Sequence, residues 1–207
     1  GIETRMIIVS DDIASASNED KLKRRGIAGL IFAFKIAGAS SENGASLEEV
    51  YDLTLKANNN LRTIGVAVSS CILPEVGKPT FELENDEIEI GMGIHGEPGI
   101  KREKLRKADL LVDDLCKLIF EDFELSNSDK ISIMINSLGA TPLEELYIVS
   151  KRVNEIFSKK DIEIVKSYVG RYATSLEMAG MSISVLKLDD DLKKALLVHS
   201  ECPFWIN

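Results

Sequence analysis

One of the chain's two histidines stands in the stretch "EIGMGIHGEPGI" (89–100), where Gly91, Gly93, Gly96 and Gly99 flank His95, and Glu97 and Pro98 follow it. An imidazole so placed has three chemistries open to it: general base, metal ligand, or nucleophile toward a carbonyl. Metal ligation fits least, because no second His or Cys lies at ligand spacing. A general base needs a partner, and Glu97 is placed to orient the ring or its loop rather than to share its chemistry. A nucleophile needs a neutral ring and an uncrowded approach, and the glycines supply the approach. A histidine beside Gly-Pro is equally a turn residue, and the pattern alone leaves both readings open.

Other candidates are weaker. Asp11-Asp12 suits acid/base or metal chemistry, but a turn after a strand explains it as well. "NSLGATP" (136–142) reads as a strand-to-helix loop whose N–H groups could face an anion, although a plain connection is the simpler reading. "GMG" lacks the third glycine and following helix of a dinucleotide fingerprint. His199 reads as a surface or packing residue. Cys71, Cys116 and Cys202 lie far apart with no CxxC pair, the usage of reduced thiols in a cytosolic protein.

These residues need a scaffold. The chain's 207 residues, 44% of them hydrophobic, can bury a real core. No apolar run reaches the ~18 residues that span a bilayer, and no signal peptide is visible. A net charge of −9 disfavours nucleic acid and anionic membranes as partners. "TRMIIV" (4–9) reads as a buried strand, 13–24 as a polar loop, and "RGIAGLIFAFKIAGAS" (25–40) as a buried helix with Gly26, Gly29 and Gly38 at close contacts or ends. "SLEEVYDLTLKANNNL" opens with the capping box Ser46-x-x-Glu49. Residues 62–72 read as a strand, 73–81 as a turn. "DEIEIGMG" (86–93) alternates, with Ile88, Ile90 and Met92 on one face and Glu87 and Glu89 on the other, so it is an internal strand with one buried face leading straight to His95. A charged amphipathic helix follows at roughly 102–121. Then come a strand (130–138), a helix (141–160) with Pro142 in its first turn, and a strand (161–170), a run that favours parallel pairing with a right-handed crossover. A last strand (182–188), a short helix and the tail "ECPFWIN" complete one mixed α/β domain. The start at Gly1, directly before a strand-like segment, reads as a cut.

"GMGIHGEPG" (91–99) closely resembles the "G-x-GIHGEPG" signature of dihydroxyacetone kinase K subunits. "SDDIA" (10–14), "RRGIAG" (24–29), "KIAGA" (35–39), "VGKPTF" (76–81), "NSLGATPLEELY" (136–147), "TSLEMAG" (174–180) and "SISVLKLDD" (182–190) agree in order. The likeness is to the second half of that subunit, so residues 1–207 are expected to form a single C-terminal K-type domain, a mixed sheet covered by helices and DegV-like in fold. The family's first half, with its Gly-rich loop, second histidine and base aspartate, has no match here. Phe34 replaces a common histidine before Lys35, and "NSLGATP" replaces the commoner "NNLGATP".

The resemblance implies that His95 is both the catalytic nucleophile and the substrate-binding residue. It would add through a ring nitrogen to the ketone carbon of dihydroxyacetone, giving a hemiaminal that glycerol, lacking an electrophilic carbon, cannot form. No cofactor and no metal are expected in this chain; ATP/ADP with Mg belongs to a separate nucleotide-binding L-type subunit or domain. The alternative is a non-catalytic dihydroxyacetone-sensing paralog that acts through a transcription regulator. Both readings imply a cytoplasmic homodimer with no direct nucleic-acid contact. A fatty-acid-binding cousin of similar fold would lack the histidine signature.

Overall fold

Short alternating runs of Ile, Val and Ser build the centre of the molecule. The computed structural model describes residues 1–94 and 97–207. In chain order the elements are α1 (Leu30–Glu42), α2 (Leu47–Asn59), β1 (Leu61–Ala67), β2 (Ile72–Leu73), β3 (Lys78–Pro79), β4 (Glu87–Ile90), β5 (Lys101–Lys104), α3 (Ala108–Asp122), β6 (Lys130–Ser137), α4 (Leu143–Ser158), β7 (Glu163–Gly170), β8 (Gly180–Leu188), α5 (Asp190–Leu197), β9 (Glu201–Cys202) and β10 (Trp205–Ile206), with a 3-10 turn at Lys21–Lys23. Six strands form one mixed sheet in the order β5-β4-β1-β8-β6-β7, and two short hairpins stand apart from it. β6 and β7, joined by α4, pair in parallel as expected; the other neighbours in the sheet are antiparallel.

Strand alternation sends the two faces to different cores. Ile64, Val66, Ile131, Ile133, Ile135, Met181, Ile183 and Val185 pack with α3 and α4. Leu61, Met134, Tyr168, Leu186 and Leu188 pack with α1, α2, α5 and Trp205 on the other side. That second face also carries small polar residues, which satisfy one another: Thr63 donates to Ser184 at 2.7 Å, and Asn136 donates to Ser182 at 3.2 Å and to the Ala173 carbonyl at 2.8 Å. Ser46 and Glu49 form the full capping box at the start of α2.

The structure departs from the sequence reading in several places. Residues 4–9 are not a buried strand: Met6 and Ile8 are exposed, and the chain bridges to the sheet further on, in parallel between Asp12 and Thr63. Residues of α2 hold it instead, Arg5 pairing with Glu48 and Asn58 donating to the Ile8 carbonyl and accepting from the Ser10 N–H just beyond, so β propensity here had no strand to pair with. The helix expected from 25 begins at Leu30, because residues 26–29 are held in place by Asp11. Gly38 makes no close contact, and Phe34 is exposed, so α1 is buried on one side only. "KREK" (101–104) is a strand rather than helix, since it pairs antiparallel with β4 and sets Arg102 opposite Glu89 and Lys104 opposite Glu87. Pro142 is the N-cap of α4 rather than a residue inside it. The tail folds back as a hairpin in which Trp205 stacks on Tyr168 at 4.2 Å between ring centroids. Among the described residues no helix is long and apolar enough to cross a membrane.

Candidate functional site

β4 is internal, between β5 and β1, and ends at Ile90. Its outer face is not solvated as the alternation suggested: Glu89 is buried and accepts from the Gly99 N–H at 2.7 Å and from Arg102 Nε at 3.0 Å. A buried carboxylate is tolerated where charge and hydrogen bonds meet it, and here it ties the strand to the far end of the histidine loop.

His95 and Gly96 lie outside the described residues; the shoulders on either side are held by backbone hydrogen bonds. The Gly91 N–H donates to the Gly65 carbonyl at 2.7 Å, the Ile100 N–H to the Ile90 carbonyl at 2.8 Å, and the Gly93 N–H to the Glu97 carbonyl at 3.1 Å. The loop is therefore closed by backbone bonds on both sides of the histidine. Gly91 has φ +79°, and a Cβ on it would stand 2.5 Å from Ala14 Cβ. A Cβ on Gly93 would collide with the Glu97 carboxylate and the Arg25 guanidinium, and one on Gly99 with the Ile90 carbonyl. The space these three glycines leave is thus filled by the protein's own atoms. They let the loop fold tightly onto its strand, a different role from opening an approach to ligand.

The other sequence candidates now have places. Asp11 is fully buried and accepts from the Ile27 and Gly29 N–H groups, both at 2.8 Å, fixing the entry to α1; burial pushes its pKa up, against the hydrogen bonds it accepts. Asp12 is buried beside it. One of its oxygens takes the Ala14 N–H at 3.0 Å, and the other lies 2.9 and 2.8 Å from Arg25 Nε and Nη2. Burial raises the Asp12 pKa to about 6, although Arg25 opposes the shift. Arg25 continues to the histidine loop, with Nη2 donating to the Gly91 carbonyl at 3.3 Å and Nη1 standing 4.0 Å from Glu97 Oε2. The sequence reading missed Arg25 and the roles of Glu89 and Arg102. The available signal was slight: Asp11-Asp12 follows the apolar run 6–9, but Arg24-Arg25 closes the charged stretch 18–25 and looks like part of a surface loop.

In 136–142 the Leu138, Gly139 and Ala140 N–H groups go to Gly180, Ser137 Oγ and Met178, so this loop is a connection and offers those donors to no phosphate. Among the described residues no three His, Cys, Asp or Glu side chains cluster to hold a metal ion. His199 is exposed, with Nδ1 2.8 Å from the Asn207 carbonyl. Cys71 and Cys116 are buried and Cys202 is exposed, all as free thiols; burial pushes the Cys116 thiol up to about 12.

A family model described as the Dak1 domain matches residues 1–204. A Listeria innocua protein, "PTS-dependent dihydroxyacetone kinase 1, dihydroxyacetone-binding subunit DhaK", is 45% identical over 92% of this chain and 58% of its own length. Among solved structures, a dihydroxyacetone kinase operon co-activator superposes with a TM-score of 0.88 at 30% identity, covering 96% of this chain and 62% of that one. The dihydroxyacetone kinase of C. freundii does so with a TM-score of 0.84 at 31% identity, covering 99% and 36%. A Thermus thermophilus DegV family protein, at 12% identity with a TM-score of 0.55 over 77% of this chain and 57% of that one, shares the fold alone. The chain spans about three-fifths of the length of the Listeria relative.

Proposed function

Because this chain belongs to the Dak1 domain family of dihydroxyacetone kinases, we propose that it is the C-terminal K-type domain of a dihydroxyacetone-binding subunit and that His95 holds the substrate covalently. The observation that carries this is the nine-residue "GMGIHGEPG" signature at the end of an internal strand, with both of its shoulders built for it. The neutral imidazole adds its Nε2 lone pair to the ketone carbon. The carbonyl π pair moves to oxygen, which ends protonated, while the ring gives up its remaining N–H proton; the hemiaminal is neutral overall. Carbonyl compounds are thereby selected over polyols of the same size.

Phosphoryl transfer to the bound substrate is the work of a separate nucleotide-carrying L-type subunit, to which a cytoplasmic homodimer presents the hemiaminal. The Listeria relative carries "PTS-dependent" in its name, which favours a phosphotransfer relay as the ultimate donor.

The superposition on an operon co-activator supports a second reading, a dihydroxyacetone sensor that acts on a transcription regulator. Two departures from the family pattern bear on it. Phe34 is exposed on α1, and Ser137 closes its own loop by donating to the Thr141 carbonyl at 2.8 Å. Neither is among the groups that hold the histidine loop, so the kinase reading stands first. The full-length protein mixed with an L-type subunit and its phosphoryl donor should form dihydroxyacetone phosphate; a protein that binds dihydroxyacetone yet supports no phosphorylation would make the sensor reading the correct one.

A further inference from the structure

The histidine loop has two ends, and one side chain from elsewhere in the chain touches both. Arg25 reaches the Gly91 carbonyl on the entering side and the Glu97 carboxylate on the leaving side. Its guanidinium packs where a side chain at Gly93 would have to be. A planar fork of five donors suits such a bridge in a way a single ammonium does not. The fork is anchored by Asp12, whose side chain is 1% exposed and whose second oxygen is committed to the Ala14 N–H. Ala14 in turn packs on Gly91. The segment 11–15 and its arginine therefore form a bracket around the loop.

Resting on the function proposed above, we propose that Arg25, aligned by Asp12, is a positioning residue that clamps the two shoulders of the His95 loop and so sets the affinity of the histidine for the ketone. The clamp is charge-dependent. The groups facing Asp12 are Arg25 and the neighbouring Asp11, and Glu97 faces Arg25 from the other side. Asp12 takes up a proton as pH falls through about 6. Arg25 then loses its buried counter-charge and the bracket loosens, so its hold on Gly91 and Glu97 is firm above that pH and weaker below it.

The test uses the full-length protein and three variants, Arg25→Ala, Arg25→Lys and Asp12→Asn, read in two ways. Amide hydrogen exchange over 91–99, corrected for intrinsic rates and measured without ligand, should be at least tenfold faster in both arginine variants. The wild type should lose protection as pH drops below about 6, and Asp12→Asn should show no such inflection. Half-saturation of the dihydroxyacetone adduct, followed by intact mass, should rise about tenfold in parallel. Exchange over β6 and β8 reports whether a variant remains folded; should Arg25→Ala fail to fold, Arg25→Lys and Asp12→Asn decide. Loop exchange and half-saturation within twofold of wild type, or an unchanged pH profile in Asp12→Asn, would overturn the clamp. If the wild type forms no adduct the functional reading fails, and the exchange data still decide the clamp.

Discussion

Gly93 concentrates the chemistry of the loop at one position. Its missing side chain makes room for the Glu97 carboxylate and the Arg25 guanidinium, both flexible ends that can yield. Gly93→Ala should therefore cost about 1–3 kcal/mol of stability, the usual range for overpacking, while dihydroxyacetone half-saturation rises because the shoulder is displaced. Gly99→Ala sets its methyl against the Ile90 carbonyl, which is backbone in the sheet, so it should be the less stable of the two in urea melts. The opposite order would show that the loop, and not β4, supplies the rigidity. From the residues alone, four glycines around His95 suggested space for a ligand. That three of those spaces are occupied by protein atoms was not legible, because it depends on Ala14, Arg25 and Ile90, two of them far away in sequence.

At the scale of elements, Asp122 at the end of α3 joins the 3-10 turn to the sheet. It pairs with Arg24 at 2.9 Å through Nη1 and with Arg62 Nε at 2.5 Å, and Arg24 is nearly fully buried. Burial pushes the Asp122 pKa up, but the two arginines outweigh it and hold it below the ordinary carboxylate value. A depressed carboxylate stabilises the fold above its unfolded pKa, about 3.9, and loses that contribution as pH falls through its folded pKa. Asp122→Ala strands two buried guanidinium groups and should cost about 3–5 kcal/mol at pH 7, with the difference from wild type shrinking in acid; a gap that stays constant down to pH 2 would refute the assignment. Elements with strong local signals were readable: the α2 capping box, the alternation of β4, and the β6–α4–β7 unit. Segment 4–9 and "KREK" misled, for complementary reasons. The first has strand residues but no partner strand, and the second has helix-compatible charges but an antiparallel neighbour whose Glu87 and Glu89 match them.

For the whole molecule, the fold class and the single mixed sheet were legible from strand order and spacing, and the family follows from segments spread along the chain. The acid–base brackets were not, since Asp12–Arg25 and Arg24–Asp122–Arg62 are made only when distant segments meet. The net charge of −9 argues that any regulatory role runs through a second protein, so duplex DNA should show no salt-dependent binding in a mobility-shift titration; a tight, salt-sensitive complex would contradict that. Intact-mass analysis of the full-length protein with saturating dihydroxyacetone should show one added substrate mass located on His95. That adduct should fade as pH drops below a histidine's usual pKa of about 6.5, and it should be missing with glycerol and in His95→Ala. An unmodified His95 at saturating dihydroxyacetone and neutral pH, or an equal adduct in His95→Ala, would contradict the covalent step.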